Sequence, residues 1–164
     1  MATWGADGRY TRLVEEHGTA LLRLAIMLTG NRHDAEDVVQ DVLISVASAW
    51  PVARPLPYLK RSVANRAVDV LRKRRDVLTD AVPETPYEEA GFLRHDDLRQ
   101  FFELVQRLPD RQRETLVLRY AADLDDGAIA RIQGVSIHTV RSQAQHALEK
   151  LRASDAVSSR KEES

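Results

Sequence analysis

The sequence predicts an all-α protein of two small helical domains joined by a flexible acidic linker, with a helix-turn-helix in the second domain. Three observations predict this. Apolar residues recur at three-and-four spacing in each long segment, with no strand-like alternation anywhere. That period lapses over residues 76–97, where Val-Pro-Glu-Thr-Pro-Tyr-Glu-Glu is acidic and interrupted by proline. Near the C-terminus, two short apolar-faced segments flank Gly134, a residue suited to the tight turn between them. The expected division is a first domain over 1–76, a linker over 77–96, a second domain over 97–152, and a frayed polar tail over 153–164.

Composition narrows the class. With 164 residues and 43% apolar content, each of two domains has only a modest core. The net charge of −1 says nothing about nucleic acid, so the distribution of charge has to. The absence of cysteine excludes disulfides and thiolate metal sites and fits a reducing compartment. No apolar run approaches the ~18 residues of a membrane span, and MATWGADGRYTRLVEEHG lacks the apolar core of a signal peptide. The expectation is a soluble cytoplasmic protein without membrane insertion.

The first helix is predicted over Thr11–Leu28, with a stripe of Leu13, His17, Leu21, Leu24 and Leu28 widened by Ala20 and Ala25. His17 reads as a partly buried packing residue. Thr29-Gly30-Asn31 ends this helix. Asp34–Trp50 is the second, with a core face of Ala35, Val38, Val39, Val42, Val46 and Ala49. Asp34 and Glu36 sit where carboxylates favour the helix dipole. The dipole does not explain Ile44 beside Asp37, Gln40 and Asp41 on the outer face. An apolar residue among acids suits docking to a basic partner helix.

Pro51, Pro55 and Pro57 predict a rigid loop between Trp50 and Tyr58. The third helix, Tyr58 to about Arg75, packs through Leu59, Val63, Ala67, Val70 and Leu71 and turns Arg61, Asn65, Val68 and Arg72 outward. Between Lys60 and Arg75 there are seven Lys/Arg against one acid, Asp69. This stripe fits a phosphate backbone; the alternative is a solvated basic helix with Asp69 paired to Arg66 or Lys73. Beyond the linker, Leu98, Phe101, Phe102, Val105 and Leu108 restore the helical period and Pro109 starts a new helix. Gln112–Tyr120 is expected to pack through Leu116, Val117 and Tyr120.

In the helix-turn-helix, Ala128, Ile129 and Ile132 face the core from the first helix, and Ser136 N-caps the second. That second helix has an apolar back of Ile137, Val140, Ala144, Ala147, Leu148 and Leu151. Its front of His138, Arg141, Ser142, Gln145 and His146 suits the DNA major groove. No Gly-rich phosphate loop, HExxH or Gly-x-Ser-x-Gly occurs, and His33 with Asp37 finds no third ligand at helpful spacing. No catalytic, cofactor-binding or metal residue is assigned, and an enzyme is not expected.

Four segments together resemble the extracytoplasmic-function group of bacterial RNA polymerase sigma factors. LTGNRHDAEDVVQDVLISVASAW is similar to that family's core-polymerase-binding segment, and YLKRSVANRAVDVLRKRR to the helix after its promoter-melting loop. LPDRQRETLVLRY is similar to the opening of its C-terminal domain, and GVSIHTVRSQAQHALEKLR to its promoter-reading helix. The segments stand in the family's order and spacing. The resemblance implies docking on bacterial core RNA polymerase through Asp37, Gln40, Asp41 and Ile44. It implies minus-ten DNA contacts by Trp50, Tyr58, Arg61, Asn65 and Arg72. It also implies minus-thirty-five contacts by His138, Thr139, Arg141, Ser142, Gln145 and His146. The partners implied are core polymerase and promoter DNA, with an anti-sigma factor as a further candidate. No cofactor is implied.

Several positions depart from the family's pattern. Gln143 stands where a basic residue is common, His146 where Arg is, and Gln133 where an apolar residue is usual. Gly127 falls within the first helix of the helix-turn-helix, at up to ~1 kcal/mol relative to Ala. Two other readings compete with a promoter-directing subunit. A stand-alone helix-turn-helix regulator leaves Asp34–Trp50 unexplained. A helical protein-interaction module that has lost DNA binding draws on Gln143 and His146.

Overall fold

The computed structural model describes residues 8–77 and 96–162. All regular structure among them is helical, and the chain divides into two compact units, Met1–Leu93 and Arg94–Ser164. The segment read as the linker lies largely outside the described residues.

In the first unit, α1 (Gly8–Thr29), α2 (Arg32–Ser48) and α3 (Pro55–Val77) pack against one another pairwise. Their shared core joins Leu21, Ile26 and Leu28 to Val38 and Val46, and to Leu59 and Val63. The α1–α2 turn follows from its three residues. Gly30 takes φ +67°, and its N–H donates to the Ile26 carbonyl at 2.8 Å, closing α1. Asn31 then caps α2, its side-chain oxygen accepting the Asp34 N–H at 3.1 Å.

The third helix begins three residues before the predicted start. Pro55 and Pro57 are inside it, because the first turn of a helix has no internal acceptor for its N–H groups and a fixed φ suits it. The connecting loop is correspondingly short. Val68, expected on the outer face, is buried. The reason is that α3 is covered by both α1 and α2, so its buried sector also takes in Ala64 and is wider than a single stripe. Two expected core alanines are exposed. Ala49 falls beyond the last turn of α2, and α1 buries its C-terminal half, leaving Ala20 outside and Leu13 and His17 half-buried. Arg74, counted in the basic stripe, turns inward to pair with Asp34 and to donate to the Thr29 carbonyl at 3.2 Å.

The second unit contains α4 (Asp96–Gln106), α5 (Asp110–Leu116), a π-helical turn (Val117–Ala121), α6 (Asp126–Gln133) and α7 (Ile137–Glu162). Helix α7 packs on both α5 and α6. Phe102, Val105 and Leu108 are buried, as their spacing predicts. The π turn changes the expected packing. Ala122 N–H bonds the Val117 carbonyl five residues back, at 3.1 Å, and the wider turn advances the chain by less angle per residue. Leu118 is therefore fully buried, while Tyr120, expected to pack inward, is 53% exposed.

Gly127 lies in the first turn of α6 rather than its interior, because Asp125 is the N-cap and accepts the Ala128 N–H at 2.7 Å. A first-turn glycine carries little of the interior penalty. Gly134 has φ +67°, and the Val135 N–H closes back on the Ala130 carbonyl at 3.0 Å. Helix α7 runs on to Glu162 through the segment expected to fray, with Arg160 and Lys161 in its last turn where cations complement the dipole. The predicted apolar back of α7 is buried at Val140, Ala144 and Ala147, whereas Ile137 at its first turn is 43% exposed.

The π turn makes opposite predictions for two neighbouring residues. Leu118→Ala should cost about 2–5 kcal/mol, and Tyr120→Ala no more than about 0.5 kcal/mol. Urea unfolding of the full chain checks this; equal costs would mean that an ordinary α-helix continues through residue 120.

Candidate partner-docking and nucleic-acid faces

The outer face of α2 is a ridge. Asp37, Gln40, Asp41 and Ile44 are all exposed along it, Ile44 by 47%. On one side an apolar groove of about 570 Å³ lies between α1 and α2, where Tyr10, Val14, Leu22, Val39 and Leu43 join Gln40 and Ile44. On the other side a mixed groove of about 600 Å³ lies between α2 and α3. Ile44 and Asp41 line it with Asn65 and Arg66. The ridge thus offers one apolar contact with acids beside it and a cleft on each flank. Asp41 has a partner that sequence reading did not assign: Arg66 Nη2 donates to its Oδ2 at 3.0 Å. Both side chains are about half exposed, so the pair is worth at most about 1 kcal/mol and exchanges readily. Asp37 faces His33 at 3.8 Å, and among the described residues no group of three or more His, Cys, Asp or Glu is placed to hold a metal.

At the loop before α3, Trp50 is half-buried and packs edge-to-face on Tyr10 of α1, with ring centroids 5.4 Å apart and planes at 69°. Tyr10 donates its hydroxyl to the Leu43 carbonyl at 2.6 Å, and burial raises its pKa. Trp50 is therefore held in place from α1. Tyr58 is 46% exposed at the start of α3. Arg61, Asn65 and Arg72 all reach solvent from α3. Asp69 pairs with Arg72 at 3.8 Å rather than with Arg66 or Lys73, since Arg66 is turned to α2. The basic face of α3 is narrower than its sequence suggests, because Arg66 and Arg74 both serve α2.

On α7, His138, Arg141, Gln145 and His146 are exposed and Thr139 and Ser142 half-buried. The Thr139 N–H donates to Ser136 Oγ at 3.1 Å, and the two hydroxyls lie 3.0 Å apart, so Thr139 completes the helix cap. Gln145 Nε2 donates to Glu149 at 3.2 Å. Arg141 Nε donates to Asp126 Oδ2 at 3.2 Å, and the same carboxylate pairs with Arg119 through its other oxygen. The Arg119 hydrogen bond, reinforced by Arg141, lowers the Asp126 pKa against the opposing effect of burial.

The departures at Gln133 and Gln143 belong to one hydrogen-bonded cluster, buried at Gln133 and half-buried at Gln143. Gln133 is 3% exposed and donates through Nε2 to Glu114 Oε1 at 3.0 Å and to Thr115 Oγ1 at 3.1 Å. Thr115 Oγ1 lies 2.8 Å from both the Arg111 carbonyl and Gln143 Oε1. One hydroxyl proton serves one of these acceptors at a time. Gln143 accordingly turns toward α5 and not outward, where it accepts from Thr115. Sequence reading missed Arg66, Asp126, Arg119 and Thr115. A weak signal existed for Asp126 alone, as a carboxylate in a helix's first turn; the others need tertiary contacts.

Comparison with known proteins agrees with the order of these elements. Residues 13–77 match the model for sigma-70 region 2, and residues 98–151 match that for sigma-70 region 4. The ECF RNA polymerase sigma factor EcfG of Rhodopseudomonas palustris is 30% identical over 141 residues, spanning 82% of this chain and 78% of the relative. The ECF RNA polymerase sigma factor SigE of Mycolicibacterium smegmatis is 31% identical over 157 residues; the match spans 87% of this chain but only 60% of that longer relative. In fold, the chain is similar to the sigma factor RpoE crystallised with the anti-sigma factor NepR from Bartonella quintana. The TM-score is 0.60 at 24% identity, covering 90% of this chain and 96% of that one. The chain belongs to the ECF RNA polymerase sigma factors.

The low pKa of Asp126 fixes a sign for acid sensitivity. A carboxylate whose folded pKa lies below its unfolded value of about 3.9 stabilises the fold above that value, and this stabilisation is lost as pH falls through the folded pKa. The urea midpoint of the wild type should exceed that of Asp126→Asn by a constant margin near neutrality, and the margin should shrink below about pH 4. A margin that grows on acidification would contradict the assignment.

Proposed function

We propose that this chain is a dissociable sigma factor that binds core RNA polymerase in the cytoplasm and directs promoter recognition, DNA melting and transcription initiation. The observation that carries the reading is the α2 ridge. It presents exposed Ile44 with Asp37, Gln40 and Asp41, in the same unit as the basic helix α3. A stand-alone DNA-binding regulator has no use for such a ridge. A lost DNA reader is not favoured either, since Gln143 has a structural role and Arg141 remains 70% exposed on the outer face of α7.

In this reading the ridge docks on a basic surface of the polymerase, with Ile44 as the apolar contact. The loop from Trp50 to the start of α3 at Pro55, with Tyr58 in the first turn of that helix, sits over the minus-ten element, where stacking and a fitted pocket offset the few kcal/mol, roughly, of flipping a base. Trp50, braced by Tyr10, forms a firm edge of that pocket. Arg61, Asn65 and Arg72 hold the adjacent strand. His138, Thr139, Arg141, Ser142, Gln145 and His146 face the minus-thirty-five element, Thr139 through its place in the cap. The polymerase supplies the polymerisation chemistry, and this chain supplies recognition only. Neither unit needs to bind DNA tightly alone, because joining them makes the second contact intramolecular. An anti-sigma partner is a further part of the proposal. The solved relatives include RpoE with the anti-sigma factor NepR, and CnrH with the cytosolic domain of CnrY.

The ion pair of Asp41 with Arg66 gives the docking proposal a two-sided test. Charge reversal, Asp37→Lys with Asp41→Lys, should weaken binding of the full chain to bacterial core polymerase about tenfold or more. Arg66→Gln removes a competitor for Asp41 and should leave that affinity equal or up to about fivefold tighter. Fluorescence titration of labelled protein with core polymerase measures both. No loss on charge reversal would overturn the docking face.

A further inference from the structure

One carboxylate in the second unit joins two guanidinium groups from different elements. Asp126, in the first turn of α6, takes Arg119 Nη2 on Oδ1 and Arg141 Nε on Oδ2, the latter at 3.2 Å. Arg119 belongs to the π turn and is 24% exposed, whereas Arg141 is on α7 and 70% exposed. The half-buried Arg119 therefore anchors the carboxylate, and the carboxylate orients the exposed Arg141.

The point of attachment limits what Arg141 does next. A guanidinium is a planar fork with five N–H donors. Its single Nε–H is directed at Asp126, which leaves the end-on edge formed by the two Nη groups. In the major groove, guanine presents O6 and N7 side by side, the acceptor pair that such an edge matches in bidentate fashion. An arginine already held in one direction loses less rotamer freedom on binding, and a wrong base then meets a fork that does not adapt to it.

We infer that Asp126 is a specificity-determining positioning residue that presents the end-on edge of Arg141 to a guanine in the upstream promoter element. This rests on the reading of α7 as the promoter-reading helix. The role requires a carboxylate, because each oxygen receives a cationic donor. An asparagine would turn an N–H₂ donor toward one of the two arginines. A glutamate keeps both acceptors at the end of a side chain one methylene longer.

The test uses holoenzyme reconstituted from bacterial core polymerase and the full-length chain. It selects from a pool of DNA duplexes randomised upstream of the start site. The chains compared are wild type, Arg141→Ala, Asp126→Asn, Asp126→Glu and the double variant Asp126→Asn with Arg141→Ala, each checked for folding by circular dichroism at neutral pH. Wild type should select a guanine at one upstream position, and Arg141→Ala should lose that preference by about five- to hundredfold. Asp126→Asn should lose it by a similar factor, Asp126→Glu should recover part of it, and Asp126→Asn should add nothing in the Arg141→Ala background. The inference is overturned if Asp126→Asn keeps the guanine preference, or if it weakens all sequences alike in both backgrounds. Loss of the reading itself looks different: wild type selects no upstream motif, or Arg141→Ala selects the wild-type motif unchanged.

Discussion

Three buried polar side chains of the second unit, with a half-buried fourth, constrain the surface that faces outward. Glu114 and Thr115 come from α5, Gln133 from the end of α6 and Gln143 from the second turn of α7, and their hydrogen bonds link them into one cluster. Glu114, Thr115 and Gln133 are at most 3% exposed. Each group left without a partner there would cost about 1–3 kcal/mol. Apolar packing alone tolerates small rotations of one helix against another, whereas hydrogen bonds between buried groups tolerate few. With Gln143 held inward, and Val140, Ala144 and Ala147 against the core, the exposed face of α7 is determined: Arg141 and Gln145 lie to the outside.

The first unit distributes charge by another rule. Among the described residues its buried side chains are apolar apart from Thr29, whose hydroxyl donates to the Ala25 carbonyl, and the inter-helix ion pairs of Asp34 with Arg74 and Asp41 with Arg66 lie at the margin. Arg74 also reaches the Thr29 carbonyl, so it fixes the end of α3 against the α1–α2 turn. The half-exposed pair of Asp41 contributes little to stability and stays open to exchange with a partner's charge. Proposed docking and proposed DNA contact thus meet across one cleft, where Asp41 and Asn65 line the same groove.

Much of this architecture was legible in the sequence, because period and punctuation are local properties. Gly30 and Gly134 mark the two turns, Ser136 stands at a helix cap, and Val38, Val42 and Val46 of α2 and Phe102 and Val105 of α4 are buried as their spacing predicts, whereas sequence reading missed the capping role of Asn31. Local patterns fail where a second neighbour intervenes. Val68 reads as outward on a single-stripe basis and is buried because two helices cover α3. Tyr120 reads as inward on an α-helical period and is exposed because a π turn changes the angle per residue. The outward residues of the candidate faces could be named from sequence, but their partners could not. Arg66 with Asp41, and Arg119 and Asp126 with Arg141, lie up to 25 residues apart and follow no helical interval across their elements. Gln133 and Gln143 look like defects one at a time and make sense only together with Glu114 and Thr115.

The central claim is that the two units act together, through polymerase, to choose promoters. Run-off transcription by bacterial core polymerase on a genomic fragment library, with and without the full chain, tests it most directly. The account predicts transcripts that depend on the chain and start downstream of two sequence motifs held at a fixed spacing. Core polymerase that binds the chain yet yields no dependent transcripts, or transcripts preceded by a single motif, would contradict it.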